Sequence, residues 1–175
     1  MTMTNTRIGA ASILFVLYTA AAFAQQAPAA ARPDFSGTWA FDQLKSAQPG
    51  PDGKITLAAM LGDEFTAQQD AVSLTLAIKI GGLRVNAAYK LDGSDTRNMS
   101  PGAFGQPAVE VVSRASWDGD KLVIASKSVS VIAGKNVPIE TRRVLWIEKG
   151  GLIIERTGTP VSEVPPTRSA YLKVK

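Results

Sequence analysis

The 175-residue chain carries 19 Lys and Arg against 15 Asp and Glu, a net charge of +4, and has no histidine and no cysteine. That composition excludes His-assisted serine or cysteine nucleophiles, thiolate chemistry, zinc held by nitrogen or sulfur, haem ligated by His or Cys, and any disulfide staple. The basic residues are dispersed among acidic ones with no run of five, so the charge reads as an ordinary solvated surface and no nucleic-acid partner is expected.

Arg7 is the only charge in the first 24 positions; an apolar run over 8–23 and the small-residue site Ala22-Phe23-Ala24 follow it. A basic start, a short apolar core and an A-x-A ending describe a secretory signal peptide, whereas a spanning helix needs about 20 apolar residues with anchoring flanks. The expectation is cleavage after Ala24, export to the periplasm or the outside of the cell, and no stable membrane insertion afterwards. Residues 25–33, rich in Pro and Ala, read as a disordered linker, which leaves one domain over 34–175.

The first predicted strand covers 35–42. A loop dense in turn residues follows over 45–53, and 55–61 reads as one or two helical turns ended by Gly62 in the left-handed conformation. A short strand at 65–69 comes next. The apolar period then becomes two. Over 72–80 the apolar side is Val72, Leu74, Leu76, Ile78 and Ile80. Over 83–91 it is Leu83, Val85, Ala87, Tyr89 and Leu91. Gly81-Gly82 joins the two as a tight hairpin turn. Further strands are expected at 96–98, 109–117, 121–131, 138–148, 152–157 and 168–174, with the longest flexible insertion at 99–107 and a proline-bearing connection at 160–166.

Consecutive short antiparallel strands with little helix predict an all-β fold: a single up-and-down barrel of about eight to ten strands, with one short helix after the first. A sheet this long closes or folds on itself to hide its edges, here by pairing 35–42 with 168–174. A two-sheet sandwich is the alternative.

Gly37-Thr38-Trp39, opening the first strand, resembles the signature of lipocalins and the wider calycin group. The resemblance implies that Trp39 closes one end of the barrel and that an Arg near the chain end, here Arg168, packs over it. The chain is also similar to small exported bacterial lipocalin-like proteins of unknown function. The matching pieces are 35–39 with Lys45-Ser46, Leu61-Gly62 with Phe65, Gln69-Asp70, Tyr89 to Gly93, Trp117 to Leu122, and Ala170-Tyr171 with Lys173. The second and third lipocalin signatures are not clearly matched, so the fold transfers better than any ligand.

Oxygen-rich clusters at Asp92-Gly93-Ser94-Asp95 and Asp118-Gly119-Asp120 sit at hairpin turns and read as turn chemistry, not cation sites; neither a metal nor another cofactor is called for. Glu110, Glu140 and Glu155 fall on the polar phase of their strands and read as outer-face charges, although convergence would allow carboxylate-based hydrolysis or isomerisation. The candidate ligand residues are Arg143 and Arg156, each on the apolar phase of its strand, with Tyr89 as a hydroxyl donor. A guanidinium there needs a partner, and its fork suits an anionic head group. The alternatives are snorkelling into solvent or pairing with Glu140 or Glu155. The function read from the chain is non-catalytic binding of a small apolar or anionic amphipathic molecule in a barrel lumen. The second reading is a filled barrel acting as an interaction module through its loops.

Overall fold

Alternation puts Leu74, Leu76 and Ile78 on one buried face while Thr75 and Ala77 point the other way, and the same rule repeated along the chain builds one curved sheet. The computed structural model describes residues 32–49, 55–80, 82–101, 107–132, 134–158 and 166–174. The predicted leader, most of the predicted linker, and parts of the 99–107 and 160–166 connections lie outside these residues.

The elements are β1 (Gly37–Phe41), α1 (Gln43–Ser46), β2 (Gln48–Pro49), β3 (Ile55–Thr56), β4 (Glu64–Gln69), β5 (Ser73–Ile80), β6 (Leu83–Lys90), β7 (Asp95–Ser100), β8 (Val109–Asp118), β9 (Lys121–Ile132), β10 (Lys135–Glu148), β11 (Gly151–Gly158) and β12 (Thr167–Lys173). Ten strands form one antiparallel sheet in the order β6-β5-β4-β1-β12-β11-β10-β9-β8-β7, and β2 pairs only with β3. The chain-end strands pair as expected, Trp39 opposite Lys173 and Phe41 opposite Tyr171.

The ladder breaks instead between β6 and β7, so the barrel is nearly closed. Side chains bridge that seam. Asn98 accepts from the Ala88 amide at 2.8 Å and donates to the Ala88 carbonyl at 2.9 Å, and Thr96 Oγ1 accepts from the Lys90 amide at 3.1 Å. Backbone groups of the edge strand thereby find partners without a strand beside them.

The lower lumen is packed solid. Trp39 donates its indole N–H to the Phe35 carbonyl at 2.8 Å, and Phe35 stacks on Trp117 at 5.9 Å. Phe65 meets Tyr171 edge-on at 5.1 Å. Leu74, Leu76, Leu122, Ile124, Leu145, Leu152 and Ile154 fill the space above.

The expected helix over 55–61 does not form. The helix lies earlier, at Gln43–Ser46, where Asp42 accepts from the Lys45 amide as an N-cap. Residues 57–62 instead run as an irregular strap fastened by β12. Ser169 Oγ bonds the Ala58 carbonyl, and the Leu61 amide donates to the Tyr171 hydroxyl at 2.8 Å. Tertiary partners satisfy the backbone there, which removes the need for a helix. Gly62 does adopt the predicted left-handed conformation (φ +71°), and a Cβ on it would lie 2.3 Å from the Lys79 carbonyl oxygen. Among the described residues no helix is long and apolar enough to cross a membrane.

Candidate functional site in the upper lumen

Tyr89 points inward because it shares the phase of buried Ala87 on β6. Arg143 points inward from β10, on the phase of buried Leu145 and in register with buried Ile124. The two meet across the lumen: Arg143 Nη2 donates to the Tyr89 hydroxyl at 3.0 Å, with the guanidinium carbon 5.8 Å from the ring centroid. Arg156 on β11 sits directly opposite Arg143 in the ladder. The structure thus brings Tyr89, Arg143 and Arg156 to one level of the barrel.

Neither arginine has a carboxylate partner among the described residues. Glu140 pairs with Lys127 at 2.9 Å and Glu110 with Arg97, both on the outer face, and Glu155 lies outside in register with Arg168. The three glutamates therefore do not converge. Like charges placed opposite each other in a ladder repel, so the pair is an arrangement that an incoming anion would relieve. The Tyr89 oxygen accepts from Arg143, which leaves its own O–H to donate.

Above this pair the lumen opens into a cavity of about 220 Å³, lined by both arginines, Thr141, Ser126, Ser128 and Met60, among others. Met60 arrives on the strap that Ser169 and Tyr171 fasten. Larger hollows, of about 590 and 610 Å³, are walled by exposed charges, Arg114, Lys127, Glu140 and Arg142 at one and Glu64, Lys79 and Arg84 at the other.

Arg168 is not at Trp39. It belongs to the outward phase of β12, lies 5.8 Å over the Trp146 ring, and pairs with Glu148 at 3.4 Å. The cation over Trp39 is Lys173, at 5.6 Å, its ladder partner. Gly37 beside it takes φ +128°, open to glycine. Trp39 is a buried plug at the closed end, far in character from the polar mouth.

The Asp-Gly turns do turn chemistry. The Ser94 hydroxyl and amide hold the Asp92 carboxyl below its usual range, and the Ser94 N–H donates to it at 2.9 Å. Among the described residues no group of three or more His, Cys, Asp or Glu is placed to hold a metal.

The sequence reading missed the hydroxyls of the mouth, Ser126, Ser128 and Thr141. A signal was available: on β9 the inward series Leu122, Ile124, Ser126, Ser128 turns from apolar to polar partway along the strand.

No family model and no curated protein matches the chain. Among solved structures it is similar to wild-type fluorescent protein UnaG, at 23% identity over 80% of this chain and 97% of that one, with a TM-score of 0.50. It is also similar to apo lipid binding protein 8 of Caenorhabditis elegans, at 10% identity over 80% and 95%, with a TM-score of 0.47. At such identities the likeness to UnaG is one of fold, an all-β, nearly closed ten-stranded barrel.

Proposed function

We propose that this protein is an exported, non-catalytic binding barrel that holds a small anionic, amphipathic molecule in its upper lumen. The observation that carries the reading is the in-register pair Arg143 and Arg156, facing the cavity with no carboxylate partner among the described residues. An oxyanion between the two guanidinium forks would satisfy both and take a further bond from the Tyr89 hydroxyl. Met60, Val111 and Ile139 offer apolar contact beside it. The thermal stability of the purified chain tests this. A ligand that fills the site at a hundred times its Kd adds about 2.7 kcal/mol, so a carboxylate such as decanoate should raise Tm by several degrees, and Arg143→Gln should abolish the gain. Absence of any gain across a carboxylate panel, with no small molecule carried through purification from the native host, would overturn the reading.

A second reading has its own observation. The lower lumen is filled, and a cavity of about 220 Å³ falls below the roughly 300 Å³ at which pockets for drug-sized ligands begin. A filled scaffold would then act through exposed apolar side chains such as Val129, Val131 and Ile132 on the long β9–β10 hairpin. Export rests on the leader pattern alone. Secreted protein should begin at Gln25, and a product that stays in the cell with residues 1–24 attached would overturn it.

A further inference from the structure

The inner wall beside the arginines is a belt of hydroxyls. Thr96 on β7 stands opposite Ser113 on β8, Ser113 opposite Ser126 on β9, and Ser126 opposite Thr141 on β10. Four neighbouring strands thus present hydroxyl side chains at one level. The belt ends at Gly158 on β11, where a Cβ would meet the Glu140 carbonyl oxygen at 2.6 Å. Ser128, one inward step nearer the mouth, adds another hydroxyl to the cavity, and Ser100 a further one.

Two features separate this wall from a merely tolerated polar patch. Ser113 and Ser126 are buried and bond each other at 2.9 Å, so that pair is satisfied internally. The hydroxyls of Ser100, Ser128 and Thr141 face the cavity and make no hydrogen bond to any described residue. On the opposite wall the inward positions Phe65, Ala67, Leu74, Leu76, Ile78 and Ala87 are apolar, and Tyr89 adds the hydroxyl that Arg143 bonds. The serine and threonine hydroxyls that line the cavity lie on the other side, with Arg143 and Arg156.

An alkyl chain laid along that belt would strand its hydroxyls away from water, which is costly for each group left unpaired. Sites built to bond a ligand hydroxyl discriminate strongly against an analogue that lacks it. The cavity, at about 220 Å³, lies below the roughly 300 Å³ at which pockets for drug-sized ligands begin, which suits a compact ligand.

We infer that the ligand is a compact polyhydroxylated oxyanion, a sugar acid or small polyol phosphate, with its charge on Arg143 and Arg156 and its hydroxyls on Ser128 and Thr141. This rests on the anion-binding part of the reading given above and replaces its apolar tail with hydroxyls. Calorimetric titration of the purified chain with glucuronate, glycerol phosphate, glucose and decanoate tests it. One of the two charged polyols should bind at least about tenfold tighter than both glucose and decanoate, and the better of the two reports which oxyanion the arginines take. Ser128→Ala combined with Thr141→Val should weaken that ligand about fivefold or more and leave decanoate unchanged. Decanoate binding more tightly than both charged polyols would overturn the hydroxyl-ligand inference and leave the anion site standing. Failure of every anion would overturn both, and glucose binding as well as glucuronate would overturn the role of the arginines.

Discussion

Arg143 on β10 donates to the Tyr89 hydroxyl on β6 at 3.0 Å, although the two strands share no ladder. The bond spans the lumen just above the packed core, so it is both a tie across the barrel and the floor of the cavity. Tyr89 also stands between Ala88 and Lys90, the two residues whose backbone groups are held by Asn98 and Thr96 across the open seam.

Tyr89→Phe removes the acceptor while keeping the ring. A charge-assisted bond is lost, but the cavity lets water reach the guanidinium, so the cost should be about 1 kcal/mol. Urea denaturation should show a lower midpoint with an unchanged slope. An unchanged midpoint would mean that the tie adds nothing to stability.

Arg156→Gln separates stability from binding. Removing one of two like charges opposite each other should stabilise the empty protein by about 0.2–1 kcal/mol at low ionic strength, an effect that shrinks as salt screens it. The same variant should bind anions less well. A less stable empty protein at low salt would show that the two guanidinium groups do not repel.

Asn98→Ala cuts two of the three side-chain bonds that bridge the seam among the described residues. Hydrogen exchange at the Ala88 amide should accelerate well beyond exchange in the β9–β10 ladder. Equal protection in the variant and the parent would show that the seam is held by something other than this side chain.

Two glycines with the same backbone sign should respond differently. Gly93→Ala, at φ +82° with open space around the site, should cost about 1 kcal/mol. Gly62→Ala should cost clearly more, because its Cβ would also press on the Lys79 carbonyl at 2.3 Å. Equal losses in a denaturation series would show that the strap shifts freely.

Burial pushes the Tyr171 hydroxyl up to about 12 from its ordinary 10.0. A folded-state value above the unfolded one means that the contribution is fully present below about pH 10 and is lost as pH rises through about 12. Stability should therefore fall across that window. Tyr171→Phe should start lower, having lost the bond from the Leu61 amide, but decline less steeply there. Parallel curves for the two proteins would remove Tyr171 as the source.

The candidate site was partly legible in the chain. Tyr89, Arg143 and Arg156 stand on the inward phase that alternation assigns, since one register slip flips every side chain of a strand. That they meet was not legible, because contact across a lumen depends on the stagger between strands far apart in sequence. Arg168 illustrates the limit. Its place near the chain end suggested a partner for Trp39, yet pairing with β1 gives that partner role to Lys173 and turns Arg168 toward Trp146. The segment 55–61 failed for a related reason: its local pattern favoured a helix, and bonds from Ser169 and Tyr171 more than 100 residues away held it as a strap instead.

By itself, the sequence determined the strands, their inward faces, the pairing of first with last, and the absence of thiol and imidazole chemistry. These follow from side-chain period, turn residues and composition, all of which are local. Only the tertiary structure decided where the barrel stays unlaced, how far the lumen is filled, and that hydroxyls from four strands fall at one level beside two arginines. Those facts depend on register summed across the whole sheet, which no single stretch of chain encodes.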